Sequence, residues 1–151
     1  MNETVQRLIK QISESGCVSF VPGGNSMWPT LKHKKQAVLI GKLERPVKLY
    51  DVLLYHRNGT VVVLHRVVGF SGDGYIVCGD NTIERETVAP FQIIGVMVGF
   101  YRGERFVPAT DKRYVKRVEK HFADETKRRN KVKRFARVQA IKRKIKKIFY
   151  K

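Results

Sequence analysis

The stretch DVLLYHRNGTVVVLHRVVGF, Asp51 to Phe70, limits the fold more than any other part of the chain. Two runs rich in β-branched, aromatic and leucine residues flank Asn58-Gly59. Asn-Gly accepts the positive φ of a type I′ turn, so the stretch is predicted to be a β-hairpin. Side chains alternate across its second arm, with Val61, Val63, His65 and Val67 on one face and Val62, Leu64, Arg66 and Val68 on the other. An imidazole flanked by valines on its own face is partly desolvated, which keeps it neutral near pH 7 and available as a base.

Further runs of the same kind are CVSFV, QAVLIGKL, GYIVCG and FQIIGVMVGFY, and Ser71-Gly72-Asp73-Gly74 marks a second tight turn. Short strands at this spacing, without βαβ alternation, predict a mainly β domain over residues 17–109, a barrel or sandwich. Ahead of it, Val5, Leu8, Ile9 and Ile12 recur at helical spacing and Ser15-Gly16 supplies a stop. Residues 3–14 therefore read as a short amphipathic helix, and residues 1–16 as an N-terminal helical segment. Behind it, Val132, Phe135, Val138, Ile141, Ile145, Ile148 and Phe149 repeat every three to four residues among lysines and arginines, so residues 110–151 read as a basic amphipathic helical tail.

Charge is concentrated in that tail. Of the formal +18 on 151 residues, the segment Asp111–Lys151 carries +14, with 18 Lys plus Arg against 4 Asp plus Glu. A segment this basic implies an anionic partner: a phospholipid surface, an acidic protein or nucleic acid. The apolar stripe favours a membrane or a partner helix over nucleic acid, and docking of the stripe on the chain's own β domain is a third reading. Cys17 and Cys78 could form at most one bridge, and nothing suggests a metal site or a cofactor. No run of 18 apolar residues occurs, and the polar N-terminus lacks the apolar core of a signal peptide. The expected location is the cytoplasm, peripherally at the inner face of the membrane if the tail binds lipid.

Three polar residues of the β domain could carry chemistry. Ser26 stands in GNSMWPTL, where a short side chain beside glycines can be exposed and backbone N–H groups can converge on an oxyanion. His65 is the desolvated base. Asp80, in YIVCGDN, ends a strand, where a carboxylate could hold the imidazole in the right tautomer. Taken singly, each also has a structural reading: a turn serine, a core histidine, a β-turn acid. Cys78 lies on the strand face of Asp80 and reads as a core or site-lining residue. Asp51 reads as a turn acid, and His33, His56 and His121 read as surface residues.

Taken together, GNSMWPTL, YDVLLY, LHRVVG and GDGYIVCGDN resemble, in order and wording, the signal peptidase I family of serine peptidases over about residues 17 to 99. The resemblance implies a signal-peptidase/LexA-like β domain. It implies Ser26 as nucleophile and His65, before R-V-V-G, as general base in the manner of the histidine branch. Asp80 would support the base, with Glu84 or Glu86 as a further acid. Met27 and Pro29 would lie near the substrate, and an extended peptide with small side chains would bind along Val18–Pro22 and Val61–Arg66. The chain departs from the family in having no membrane anchor and in placing Gly24 where an oxyanion-stabilising hydroxyl often stands, which leaves backbone N–H groups and Asn25 for that task. Self-cleaving repressors of the LexA kind share the fold and a G-x-S-M motif, but they use a lysine base and carry a DNA-binding helix-turn-helix. The expected activity is a serine endopeptidase with a peptide or protein substrate. The alternative is an inactive peptidase-like domain that binds peptide, nucleic acid or membrane through the tail.

Overall fold

The computed structural model describes residues 1–32 and 35–149, so His33 lies outside the described residues. Helix α1 spans Glu3–Ser15. The Asn2 side chain accepts the Val5 N–H at its start, and Gly16, at φ 75°, ends it by donating to the Ile12 carbonyl. Its buried residues are Val5, Leu8 and Ile12, and the Asn2 N–H donates to Gly59 O at 2.7 Å, tying the N-terminus to the hairpin turn.

Eight antiparallel strands follow: β1 (Cys17–Phe20), β2 (Val38–Gly41), β3 (Val52–Arg57), β4 (Val61–Ser71), β5 (Gly74–Cys78), β6 (Arg85–Val88), β7 (Ile93–Arg102) and β8 (Arg105–Pro108). They form one sheet in the order β1-β2-β7-β3-β4-β5-β6, and β8 pairs with the second half of β7. The predicted hairpin is β3–β4, turning through Asn58 (φ 49°) and Gly59 (φ 68°). β6 and β8 were not predicted. RETV is short and mostly polar and RFVP is short and ends in Pro, and pairing with β5 and β7 makes them strands.

Strand parity divides the apolar residues as the alternation predicts. Val52, Leu54 and Leu64 pack with Val5, Leu8 and Ile12 of α1 in one cluster. Leu53, Tyr55, Val67, Val77, Val88 and Val96 form a second cluster, with Val63 packed against it.

The tail is two helices, not one. α2 spans Lys112–Phe122 and α3 spans Glu125–Phe149. The break falls at Ala123-Asp124, where the Asp124 carboxylate accepts the Lys127 N–H at 2.9 Å and so caps the start of α3. Tyr114 and Val118 of α2 join the first apolar cluster. On α3, Val132, Phe135, Val138 and Ile141 advance three residues per step, about 60° short of a full turn, so the stripe winds round the helix. Val132 and Phe135 are half-buried, and from Ala140 to Ile148 every residue is exposed. Among the described residues, no helix is long and apolar enough to cross a membrane.

Candidate active site

The serine loop lies between β1 and β2. Met27 and Thr30 are buried, each 2 % exposed, while Gly24 and Asn25 are exposed and Ser26 and Pro29 are half-exposed. Met27 joins the first apolar cluster, and Trp28 stacks on Phe135 of α3 with ring centroids 4.8 Å apart. The turn after β5 holds the loop from the other side. The Asn81 N–H donates to Ser26 O at 2.7 Å, and the Asn81 side chain donates to Asn25 O at 3.2 Å. Among the described residues, neither the Ser26 hydroxyl nor its backbone N–H has a hydrogen-bond partner, and a Cβ added at Gly24 would meet nothing within 4 Å. The space before the serine is open.

Gly79 brings the serine to the histidine's side of the sheet. Arg66 pairs with Cys78, the last residue of β5, so the register continued one step past the strand sets Gly79 opposite His65, and facing residues of an antiparallel pair project on the same face. A Cβ on Gly79 would lie 2.8 Å from Ser26 O and 3.1 Å from Ser26 Cβ, so the serine backbone occupies the space a side chain would need. Gly79→Ala is expected to push the loop outward, at an overpacking cost of about 1–3 kcal/mol that urea unfolding of the variant reads.

His65 is 9 % exposed. Its Nδ1 lies 3.2 Å from the Tyr55 hydroxyl and 3.4 Å from Glu86 Oε1. Tyr55 donates its own proton to Glu86 Oε1, so the phenolic oxygen accepts from an Nδ1–H. This leaves the Nε2 lone pair free for a substrate-side proton, with no protein partner among the described residues. Glu86 is also held by Arg57, whose Nη2 and Nε donate at 2.6 and 2.9 Å.

Burial lowers the His65 pKa below its ordinary value, against the pull of the Glu86 carboxylate. Burial alone would raise Glu86, but hydrogen bonds from Arg57 and Tyr55 outweigh it and keep the carboxyl below its usual range. Burial, then the bond to Glu86, pushes the Tyr55 hydroxyl far up, so it stays protonated. The site thus holds a neutral imidazole beside an ionised carboxylate. His65, Glu84, Glu86, Arg57, Thr82 and Arg85 line a cleft of about 200 Å³ there.

Asp80 is elsewhere, a correction to the expectation that it orients the His65 ring. It is 0 % exposed, and its carboxylate accepts from Arg66 Nε and Nη2 at 2.8 Å each and from the Thr30 hydroxyl. Arg66 also donates to Tyr50 O at 2.9 Å and to the Tyr114 hydroxyl at 3.0 Å. Burial opposes the Arg66 charge, but Asp80 more than offsets this and raises its pKa. Asp80 therefore ties β4, the serine loop and α2 together on the Arg66 face.

A β-bulge is the reason. The β4–β5 turn pairs Ser71 with Gly74, and an unbroken count from there would set Asp80 opposite His65. The register shifts between Val67 and Gly69, so Gly79 takes that position and Asp80 moves to the other face. The carboxylate on the histidine's face is Glu86, which pairs with Val77 and through it lies beside Val67. Tyr55 and Arg57 carried no signal that sequence reasoning recognised. Their clue was alternation along β3, which puts both on one face with Leu53, the partner of His65.

Two other histidines depart from the surface reading. His56 is 7 % exposed and accepts the Gly59 N–H at 3.1 Å. His121 of α2 is half-buried, and its Nε2 lies 2.7 Å from Asp80 O, bracing the same turn. Arg128 of α3, 1 % exposed, adds a bond to Thr82 O at 2.6 Å.

The two stretches expected to flank a peptide have open edges. Among the described residues, β1 pairs with β2 alone. Val61 to Leu64 pair with β3 on one side, while on the other β5 begins its pairing only at Arg66. No family model matches the chain, and a search of curated proteins returns no match to it.

Proposed function

We propose that the chain is a serine endopeptidase with a signal-peptidase/LexA-like β domain, in which Ser26 is the nucleophile, His65 the general base and Glu86, with Tyr55, the group that orients the base. The observation that carries the reading is the placement of His65, whose Nδ1 faces Tyr55 and Glu86 while its Nε2 has no partner among the described residues, on the face to which Gly79 admits Ser26. The Ser26 hydroxyl attacks a peptide carbonyl as Nε2 takes its proton. The resulting imidazolium is stabilised by Glu86 and returns the proton to the leaving amine, and water then hydrolyses the acyl-enzyme by the same route. The unpartnered Ser26 N–H is a donor available to the oxyanion. An extended peptide adds as a strand to the open flank of Val61–Leu64 or to β1.

An acylating serine probe of the fluorophosphonate class tests this. Covalent labelling mapped to Ser26 by mass spectrometry, lost in His65→Ala, is expected; no adduct at Ser26 in folded protein overturns the reading. The pH dependence has a defined sign. Because burial lowers the His65 pKa, the rate of labelling should be full at pH 7 and fall as pH drops through a value below about 6.5. In the same window the unfolded chain binds the His65 proton more readily than the folded one, so stability also falls as pH drops. Labelling unchanged down to pH 4 would remove His65 from the role.

A further inference from the structure

We propose that the distal turns of α3, from Ile141 to Ile148, are a docking element for an anionic lipid surface. This does not depend on the peptidase reading. Between Asn130 and Ile148 the helix carries nine Lys and Arg and no Asp or Glu. Within its last turns Ile141, Ile145 and Ile148 fall inside an arc of about 60°, and they are 56 %, 49 % and 72 % exposed. Lys142, Arg143, Lys144, Lys146 and Lys147 occupy the rest of the circumference.

The occupant must satisfy both features. A nucleic acid answers the cations but gains nothing from three isoleucines on one face, and an acidic protein surface would need an apolar strip beside its carboxylates. The interface of an anionic bilayer takes the isoleucines below the headgroups and the cations among the phosphates in a single orientation. The winding of the stripe contributes to this. Phe135 faces the body and stacks on Trp28, and by Ile141 the apolar side has turned away from it. Docking would therefore hold the Ser26 loop, two residues before Trp28, at a set place relative to the surface.

Full-length protein co-sedimented with vesicles of phosphatidylcholine containing about a third phosphatidylserine is the test, with pure phosphatidylcholine vesicles and a single-stranded oligonucleotide as comparisons. Binding to the anionic vesicles alone is expected, weakened roughly fivefold for each Lys or Arg removed from Lys142 to Lys147. The variant I141S/I145S/I148S, which keeps every cation, should bind roughly tenfold more weakly or worse. Among the described residues these positions are exposed, so the thermal unfolding of the variant should match the parent. No binding to anionic vesicles overturns the proposal. So does undiminished vesicle binding by the triple variant, or tighter binding to the oligonucleotide that the triple variant retains.

Discussion

Ser26→Ala is expected to reduce cleavage of an extended peptide substrate by about 10⁴- to 10⁶-fold while leaving the fold intact. The serine is half-exposed, and what holds its loop is its carbonyl, through Asn81, and its neighbours Met27 and Thr30. None of these involves the hydroxyl, so the stability change should stay within about 0.5 kcal/mol. Progress curves on both proteins, with thermal unfolding run alongside, read the two effects separately. A folded Ser26→Ala protein that keeps a tenth or more of the parent rate would show that another group attacks the substrate.

Asp80→Ala is expected to act on the fold instead, at a cost of about 3–5 kcal/mol. It leaves the Arg66 guanidinium buried without its counter-charge, and breaking such a pair from one side costs far more than the pair contributes. The Thr30 hydroxyl loses an acceptor as well, so the serine loop loosens with the core. Glu86→Gln should do the opposite. Glu86 is about a third exposed and Arg57 about half exposed, and the amide oxygen of glutamine can still accept from the buried Tyr55 hydroxyl, so the fold should persist. The rate should fall by up to about 10⁴-fold, as the amide no longer stabilises the imidazolium. Urea unfolding and turnover on both variants separate the roles. A stable Asp80→Ala protein without activity, beside an active Glu86→Gln protein, would return the orienting role to Asp80.

Much of the molecule was legible from the residues because local physics decides it. Asn58-Gly59 specifies its hairpin, helical spacing in Val5, Leu8 and Ile12 specifies α1, and β alternation separates His65 from Arg66 before any neighbour is known. The cleft wall was less legible, since β6 has no apolar pattern to announce it and exists because β5 offers it an edge.

What the sequence by itself determined is most of the elements, the parity of the strands it announces and the chemistry present: a loop serine, a desolvated histidine, several carboxylates and a basic tail. Only the tertiary structure decided which carboxylate meets which cation. Pairing depends on register, and one extra residue at the β4–β5 bulge exchanges the faces of everything beyond it, sending Asp80 to Arg66 and leaving His65 to Glu86. The tail divides on the same ground. Tyr114, Val118, Arg128 and Phe135 find partners on the body, whereas Ile141, Ile145 and Ile148 have turned past the body's reach and stay exposed.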